Sequence, residues 1–193
     1  MSDWLLAQLA DHVTVAEATA EAAQQVRSVG SLLCETFARG GVVYTLGNGG
    51  SAADAQHLTG EFIGRYKRER RPLPSVTLST DPSVLTCVGN DYSYDDVFAR
   101  QVEALARPGD VVAAFTTSGR SANVVRALAA ARAKGATTVL FGGEDGGPAR
   151  AHADHALLVR SRTTARIQEM HTLMLHVISE MVDAWAAGEE PAA

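Results

Sequence analysis

The sequence predicts one α/β domain, a doubly wound parallel sheet flanked by helices in three layers, preceded by a long helical N-terminal segment. Three observations predict it. From residue 41 onward, short apolar runs rich in β-branched residues alternate with stretches of helical period. The runs are nearly continuous rather than alternating, as a sheet covered on both faces requires. And 193 residues with 46% hydrophobic content suit a single domain with a full core.

Residues 5 to 39 carry helical spacing without proline, from Leu5, Leu6, Leu9 and Val13 through to Phe37, until Gly40-Gly41 ends it. That is long for a globular helix, so two helices or a bend near Thr14 or Gly30 are expected. Gly41–Leu46 then reads as a buried strand running into Gly47-Asn48-Gly49-Gly50-Ser51, with a helix over 51–64 and Ser51 as its N-cap. The cycle repeats. Ser75–Leu78 is a strand, followed by helices at Asp81–Val88 and Tyr94–Ala104. Val111–Phe115 is a strand, Thr116–Ser121 a loop and Ala122–Lys134 a helix; Thr137–Phe141 and His155–Val159 are the last strands. A final helix over Thr164–Ala187 closes the domain. The expected organisation is a helical association segment over 1–40, the α/β domain over 41–187 and a disordered tail over 188–193.

Several function classes are set aside by composition. A net charge of −5 argues against nucleic acid as the main partner, because a phosphate backbone is bound by positive excess. The exception is local: Arg65-Tyr66-Lys67-Arg68-Glu69-Arg70-Arg71, read as a solvated loop or as positive potential near an anionic substrate. No run approaches the roughly 20 apolar residues of a membrane helix. The start, Met1-Ser2-Asp3-Trp4, lacks the basic flank of a secretory signal. Cys34 and Cys87, far apart and beside apolar residues, read as buried thiols in a reducing compartment. A cytoplasmic protein without membrane or nucleic-acid partner is expected.

Ligands of open parallel sheets sit beyond the carboxyl ends of the strands, and two strand-to-helix loops there have unusual chemistry. In Gly47-Asn48-Gly49-Gly50-Ser51 glycine permits close backbone approach, and the helix start offers free N–H groups. A plain tight turn explains that loop equally well. Thr116-Thr117-Ser118-Gly119-Arg120-Ser121 is more telling. Four hydroxyls in six residues at a helix N-terminus suit a phosphate, whereas capping needs only one.

Further along, His57 and Glu61 share one helical face, and Gln168, Thr172 and His176 form a polar stripe on the otherwise apolar last helix. From spacing alone, a hydrogen-bonded core His or Gln is a commoner outcome than a metal ligand.

The two loops, together with Cys87-Val88-Gly89-Asn90-Asp91-Tyr92 and Arg166-Ile167-Gln168-Glu169-Met170-His171, resemble in order the motifs of the sugar isomerase (SIS) domain family, in its phosphoheptose isomerase branch. The likeness covers roughly residues 30 to 185. Thr116 stands where serine is common, and Ala165 where some relatives carry an acid, so no contact is carried over to Ala165. The resemblance implies a flavodoxin-like three-layer sandwich of SIS type. It implies an aldose–ketose isomerase converting D-sedoheptulose 7-phosphate to D-glycero-D-manno-heptose 7-phosphate through an enediol, the opening step of nucleotide-activated heptose biosynthesis. Glu61 would be the base and His176 the acid. Substrate contacts would come from Asn48, Gly49, Gly50, Ser51, Glu61, Arg65, Asn90 and Asp91, and from Thr116, Thr117, Ser118, Ser121 and Gln168. Zinc, one per subunit, would be held by His57, Glu61, Gln168 and His176, in a homotetramer.

Two physical points qualify the ligand set. Eight residues of helix rise about 12 Å, so Gln168 and His176 must lean together to share an ion, and His171 is a nearer alternative to Gln168. Gln is also a weak ligand for zinc, which leaves a regulatory or stabilising ion as open as a catalytic one. The competing reading is a non-catalytic protein of the same fold that binds the replication initiator; retention of His57, Glu61, Gln168 and His176 together favours the enzyme. A sugar-phosphate-sensing regulator is discounted, because the first 40 residues hold no helix-turn-helix.

Overall fold

The computed structural model describes residues 3–190. Met1 and Ser2 of the acidic start, and residues 191–193 of the expected tail, lie outside them.

Helix α1 (Trp4–Thr19) begins at Asp3, whose carboxylate accepts the N–H groups of Leu5 and Leu6. A 3-10 turn at Ala20–Ala22 separates it from α2 (Ala23–Ala38). The break therefore falls at residues 20–22, not at Thr14 or Gly30. Thr14 lies within α1, its hydroxyl donating to the Ala10 carbonyl at 3.0 Å. Gly30 lies inside α2 where the last helix passes closely: a Cβ there would lie 2.7 Å from Met181 Sδ.

The strands are β1 (Val43–Gly47), β2 (Ser75–Thr77), β3 (Val111–Thr116), β4 (Thr137–Gly143) and β5 (His155–Val159), all parallel in the order β2-β1-β3-β4-β5. Between them run α3 (Gly50–Ile63), α4 (Pro82–Asp91), α5 (Ala99–Leu105) and α6 (Ala122–Ala133), and α7 (Thr164–Ala187) follows β5. The helix expected over Tyr94–Ala104 is a 3-10 turn at Tyr94–Asp96 followed by α5.

Successive strand residues feed opposite layers. Val43, Val111, Ala113, Phe115, Val139 and Phe141 pack with α2, α3 and α7. Tyr44, Leu46, Val112, Ala114 and Leu140 pack with α4, α5 and α6. Each fully buried Val, Leu or Phe is worth about 1.5–3 kcal/mol, and the apolar runs read from the sequence are these two-sided contacts. The chain leaves β1 toward β2, then crosses back to β3. The carboxyl ends of β1 and β3 thus flank the point where winding reverses, where such sheets hold ligands.

Three local expectations are corrected. Ser51 is buried inside α3, and the N-cap is Gly49. Cys34 is half-buried, its thiol pushed up to about 11 by burial, but Cys87 is exposed on α4. The basic run 65–71 is a partly solvated loop rather than a free positive patch: Arg65, Lys67, Glu69 and Arg71 are exposed, but its charges are largely paired and the Arg70 side chain is buried. Lys67 pairs with Glu180 at 2.8 Å, Arg68 with Glu180 and Glu189, and Arg70 with Asp183 at 3.0 Å. Gly188 caps α7 in the left-handed conformation, and Glu189 and Glu190 of the expected tail receive bonds from Arg68.

Candidate active site

Both loops open onto one cavity of about 290 Å³. From the first loop it takes Asn48, Gly50 and Ser51, and from the second Thr116, Thr117, Ser118 and Ser121, with Thr164 and Gln168 of α7 completing the wall. The N-terminal turns of α3, α6 and α7 all contribute, and each is a weakly positive end with N–H groups to spare. Ser121 is the N-cap of α6 yet makes no side-chain capping bond. Its hydroxyl is available to a ligand.

Glycine is required at one point of this wall. Gly119, at φ 63°, lies so close to the β4 turn that a Cβ would sit 1.9 Å from the Gly146 carbonyl oxygen. Gly50 is met by the end of the Gln168 side chain, which reaches across from α7 into the space a Cβ would take. Asn48 is held by a reciprocal amide pair with Asn123, both bonds 2.9 Å, and by the Tyr94 hydroxyl at 3.2 Å. Neither Asn123 nor Tyr94 was singled out from the sequence.

From the cavity a polar seam runs down the contact between α3 and α7. Gly50 faces Gln168; Thr172 donates to Asp54 Oδ1 at 3.2 Å; below them His57 meets His176, Nε2 to Nε2 at 3.2 Å, with Glu61 Oε1 3.0 Å from His57. The spacing 50/54/57/61 against 168/172/176 is one face of each helix. Asp54 was missed although its spacing from His57 marked it. Burial raises its carboxyl above the usual range, against the Thr172 bond and His57, which lower it. Burial likewise lowers His176, aided by His57 and Lys67 and opposed by Glu61. Tyr66 stacks on His176, with ring centroids 5.5 Å apart at 24°, and lies in a loop with no period to mark it.

His57, Glu61 and His176 present three ligand atoms within 4.8 Å of one another. One ring nitrogen, His57 Nε2, faces both partners and carries at most one hydrogen. That one hydrogen cannot serve both contacts at once. A cation would resolve this: ligands about 2.0–2.1 Å from a tetrahedral zinc stand roughly 3.3 Å apart, close to the spacing here. The donor set fits zinc. Gln168 lines the cavity about two helical turns from His176. His171 is no ligand: it is fully buried against Phe115 and Phe141, faces the Gly142 carbonyl at 3.3 Å, and is held down at about 4 by burial.

Five expected contacts do not line this cavity: Gly49 precedes it as the N-cap of α3, Glu61 stands at the far end of the seam, and Arg65, Asn90 and Asp91 lie away from both. Arg65 is exposed and bonds the Lys67 carbonyl at 3.3 Å. Asn90 and Asp91 bond each other at 2.7 Å on the exposed end of α4.

Residues 9–143 match the family model described as SIS domain. A phosphoheptose isomerase of Roseiflexus is 48% identical over 93% of this chain and 92% of its own length. The chain belongs to the phosphoheptose isomerase family of SIS-domain proteins. A solved phosphoheptose isomerase of Neisseria gonorrhoeae superposes with a TM-score of 0.89 at 37% identity, covering 94% of this chain and 97% of that one. The one from Francisella tularensis superposes at 0.91 and 31% identity over the same shares. As a member of the phosphoheptose isomerase family the chain is a sugar-phosphate isomerase, and the SIS domain's two loops are those lining the cavity. No helix among the described residues is long and apolar enough to cross a membrane.

Proposed function

We propose that this isomerase interconverts D-sedoheptulose 7-phosphate and D-glycero-D-manno-heptose 7-phosphate. The observation that carries the reading is the convergence of Glu61, His57 and His176 at the far end of a seam whose near end is the hydroxyl cavity. From Gln168 to His176 the helix rises about 12 Å. An extended seven-carbon sugar phosphate, at roughly 1.2 Å per bond, spans about 10 Å from C1 to phosphorus. Its phosphate then sits on Thr117, Ser118 and Ser121, with C1 and C2 beside Glu61.

Glu61 Oε1 faces His57, leaving Oε2 to take the C1 proton of the ketose. His176 donates its ring proton toward O2 as the enediol forms and takes the O1 proton in return. Glu61 then delivers its proton to C2, and the aldose results. His57, Glu61 and His176 would hold a zinc, whose chemistry is to polarise the carbonyl and hydroxyl oxygens. Within one chain Gln168 serves the sugar, alongside Asn48, Gly49, Gly50, Ser51 and Thr116.

The functional unit is a homotetramer in a cytoplasmic setting, with Arg65, Asn90 and Asp91 reaching substrate across a subunit interface. Trp4, Leu5, Leu6, Leu9 and Val13 on α1 and Leu173 and Val177 on α7 are all exposed, which supports association. The initiator-binding alternative has no use for the converged trio. Incubation of purified protein with sedoheptulose 7-phosphate, with and without added zinc, and detection of the aldose by NMR tests the reading. No turnover in either condition overturns it.

A further inference from the structure

Residues 64–71, between α3 and β2, form no helix or strand, yet they are tied down from beneath by one fully buried ion pair. Asp183 of α7 accepts the N–H groups of Tyr66 at 3.4 Å, Lys67 at 2.9 Å and Arg68 at 2.6 Å, as well as Arg70 Nε at 3.0 Å. Both side chains are essentially inaccessible, at 1% and 0% exposure. Arg70 spreads its remaining N–H groups over the Glu61 carbonyl at 2.5 Å, Phe62 at 2.8 Å, and Gly64 and Arg71 at 2.9 Å. Three of these belong to the end of α3, where carbonyls have no partner within the helix.

The pair therefore joins three pieces of the site. It grips the end of α3 one residue from the Phe62 core contact, where Glu61 stands. It pins the backbone of Tyr66, whose ring stacks on His176. And it does so from Asp183, two turns along α7 on the same face as His176. Stability alone is a poor account of it, since a buried ion pair is often no more stabilising than apolar residues of the same volume. An apolar pair could not accept three backbone N–H groups and cap four carbonyls.

We propose that Arg70 and Asp183 are a positioning pair for the isomerase site, setting Glu61 and Tyr66 against His176 and so governing proton transfer, while phosphate binding at the hydroxyl loop is independent of them. This rests on the roles given to Glu61 and His176 above.

The test uses Asp183→Asn and Arg70→Lys in the full chain, with Tyr66→Leu as reference. Turnover kinetics are read together with the ring resonances of His176 in protein carrying ¹³C-labelled histidine. The expected result for a folded variant is kcat lowered about tenfold to a hundredfold, as for a catalytic group misplaced by about 1 Å. KM stays within about threefold, and the His176 resonances move toward their Tyr66→Leu positions as the ring current is lost. A folded variant with wild-type kcat, or with unmoved His176 resonances and only a lower melting temperature, overturns the proposal. Should Asp183→Asn not fold, Arg70→Lys, which keeps the charges matched, decides by the same criteria. Should neither fold, Tyr66→Leu at wild-type kcat overturns it. If the wild type turns over no sugar phosphate, the functional reading fails, and the histidine resonances still report whether the pair sets the ring.

Discussion

Replacing Gly119 by alanine adds one carbon to the hydroxyl loop, and the consequence can be worked from the contacts. The new Cβ would lie 1.9 Å from the Gly146 carbonyl oxygen, 2.4 Å from its carbon and 2.9 Å from the Gly147 nitrogen. Ordinary contacts are about 3.5 Å or more, and backbone cannot rotate away, so the loop must move by roughly 1.5 Å. Adopting φ 63° costs a non-glycine residue about 1–2 kcal/mol. The shift also strains two bonds that hold the loop, Ala149 N–H to the Gly119 carbonyl at 3.0 Å and Gly119 N–H to Thr116 Oγ1 at 3.2 Å, each worth about 0.5–1.5 kcal/mol. The sum is about 2–5 kcal/mol of stability. Displacing Ser118 and Ser121 should in addition cost about 1–3 kcal/mol for each bond lost to a charged phosphate, so that losing even one raises KM roughly tenfold to a hundredfold. The assay is steady-state kinetics on sedoheptulose 7-phosphate beside a thermal melt. Gly40→Ala is the control, because φ there is 78° but nothing lies within 4 Å of its Cβ position. It should lower the melting temperature slightly and leave KM alone. A folded Gly119→Ala protein with wild-type KM would falsify the assignment of phosphate to this loop.

Glu61→Gln keeps the shape and loses the basic oxygen, so isomerisation should fall by about 10²–10⁴-fold with sugar-phosphate binding, read by calorimetry, within about tenfold; activity above about a tenth of wild type removes Glu61 from the role. Deleting residues 1 to 28 removes the exposed apolar face of α1 and should give a smaller, inactive species by light scattering; a fully active monomer would end the shared-site idea and spare the isomerase assignment. Burial alone would raise the Asp183 carboxyl, but the N–H groups of Arg68, Lys67 and Tyr66 and the Arg70 bond outweigh it and hold it below the usual range. Its contribution to stability is thus full above the unfolded carboxyl value of about 3.9 and lost as pH falls through the lower folded value. Urea midpoints followed from about pH 5 to about pH 2 should decline in the wild type and flatten in Asp183→Asn; parallel curves would contradict this.

The parts of this protein set by neighbouring residues could be read without a structure. The strand His155–Val159 and the helix Thr164–Ala187 fall where apolar runs and helical spacing place them, because period and turn chemistry act over a few residues. The same holds for the hydroxyl loop, and for His57 and Glu61 on one face of α3. What could not be read depends on partners distant in the chain. Arg68 and Arg70 meet Glu180 and Asp183 across more than 110 residues, which ties a partly exposed basic run to α7 through one buried ion pair. Met181 of the last helix packs on Gly30, and His171, equivalent to its neighbours by spacing, is turned into the core against Phe115 and Phe141. The sequence by itself determined the layers, the loops and the candidate chemistry. Only the tertiary structure decided which polar groups face one another, because burial and charge pairing are properties of the packed chain and leave no local period.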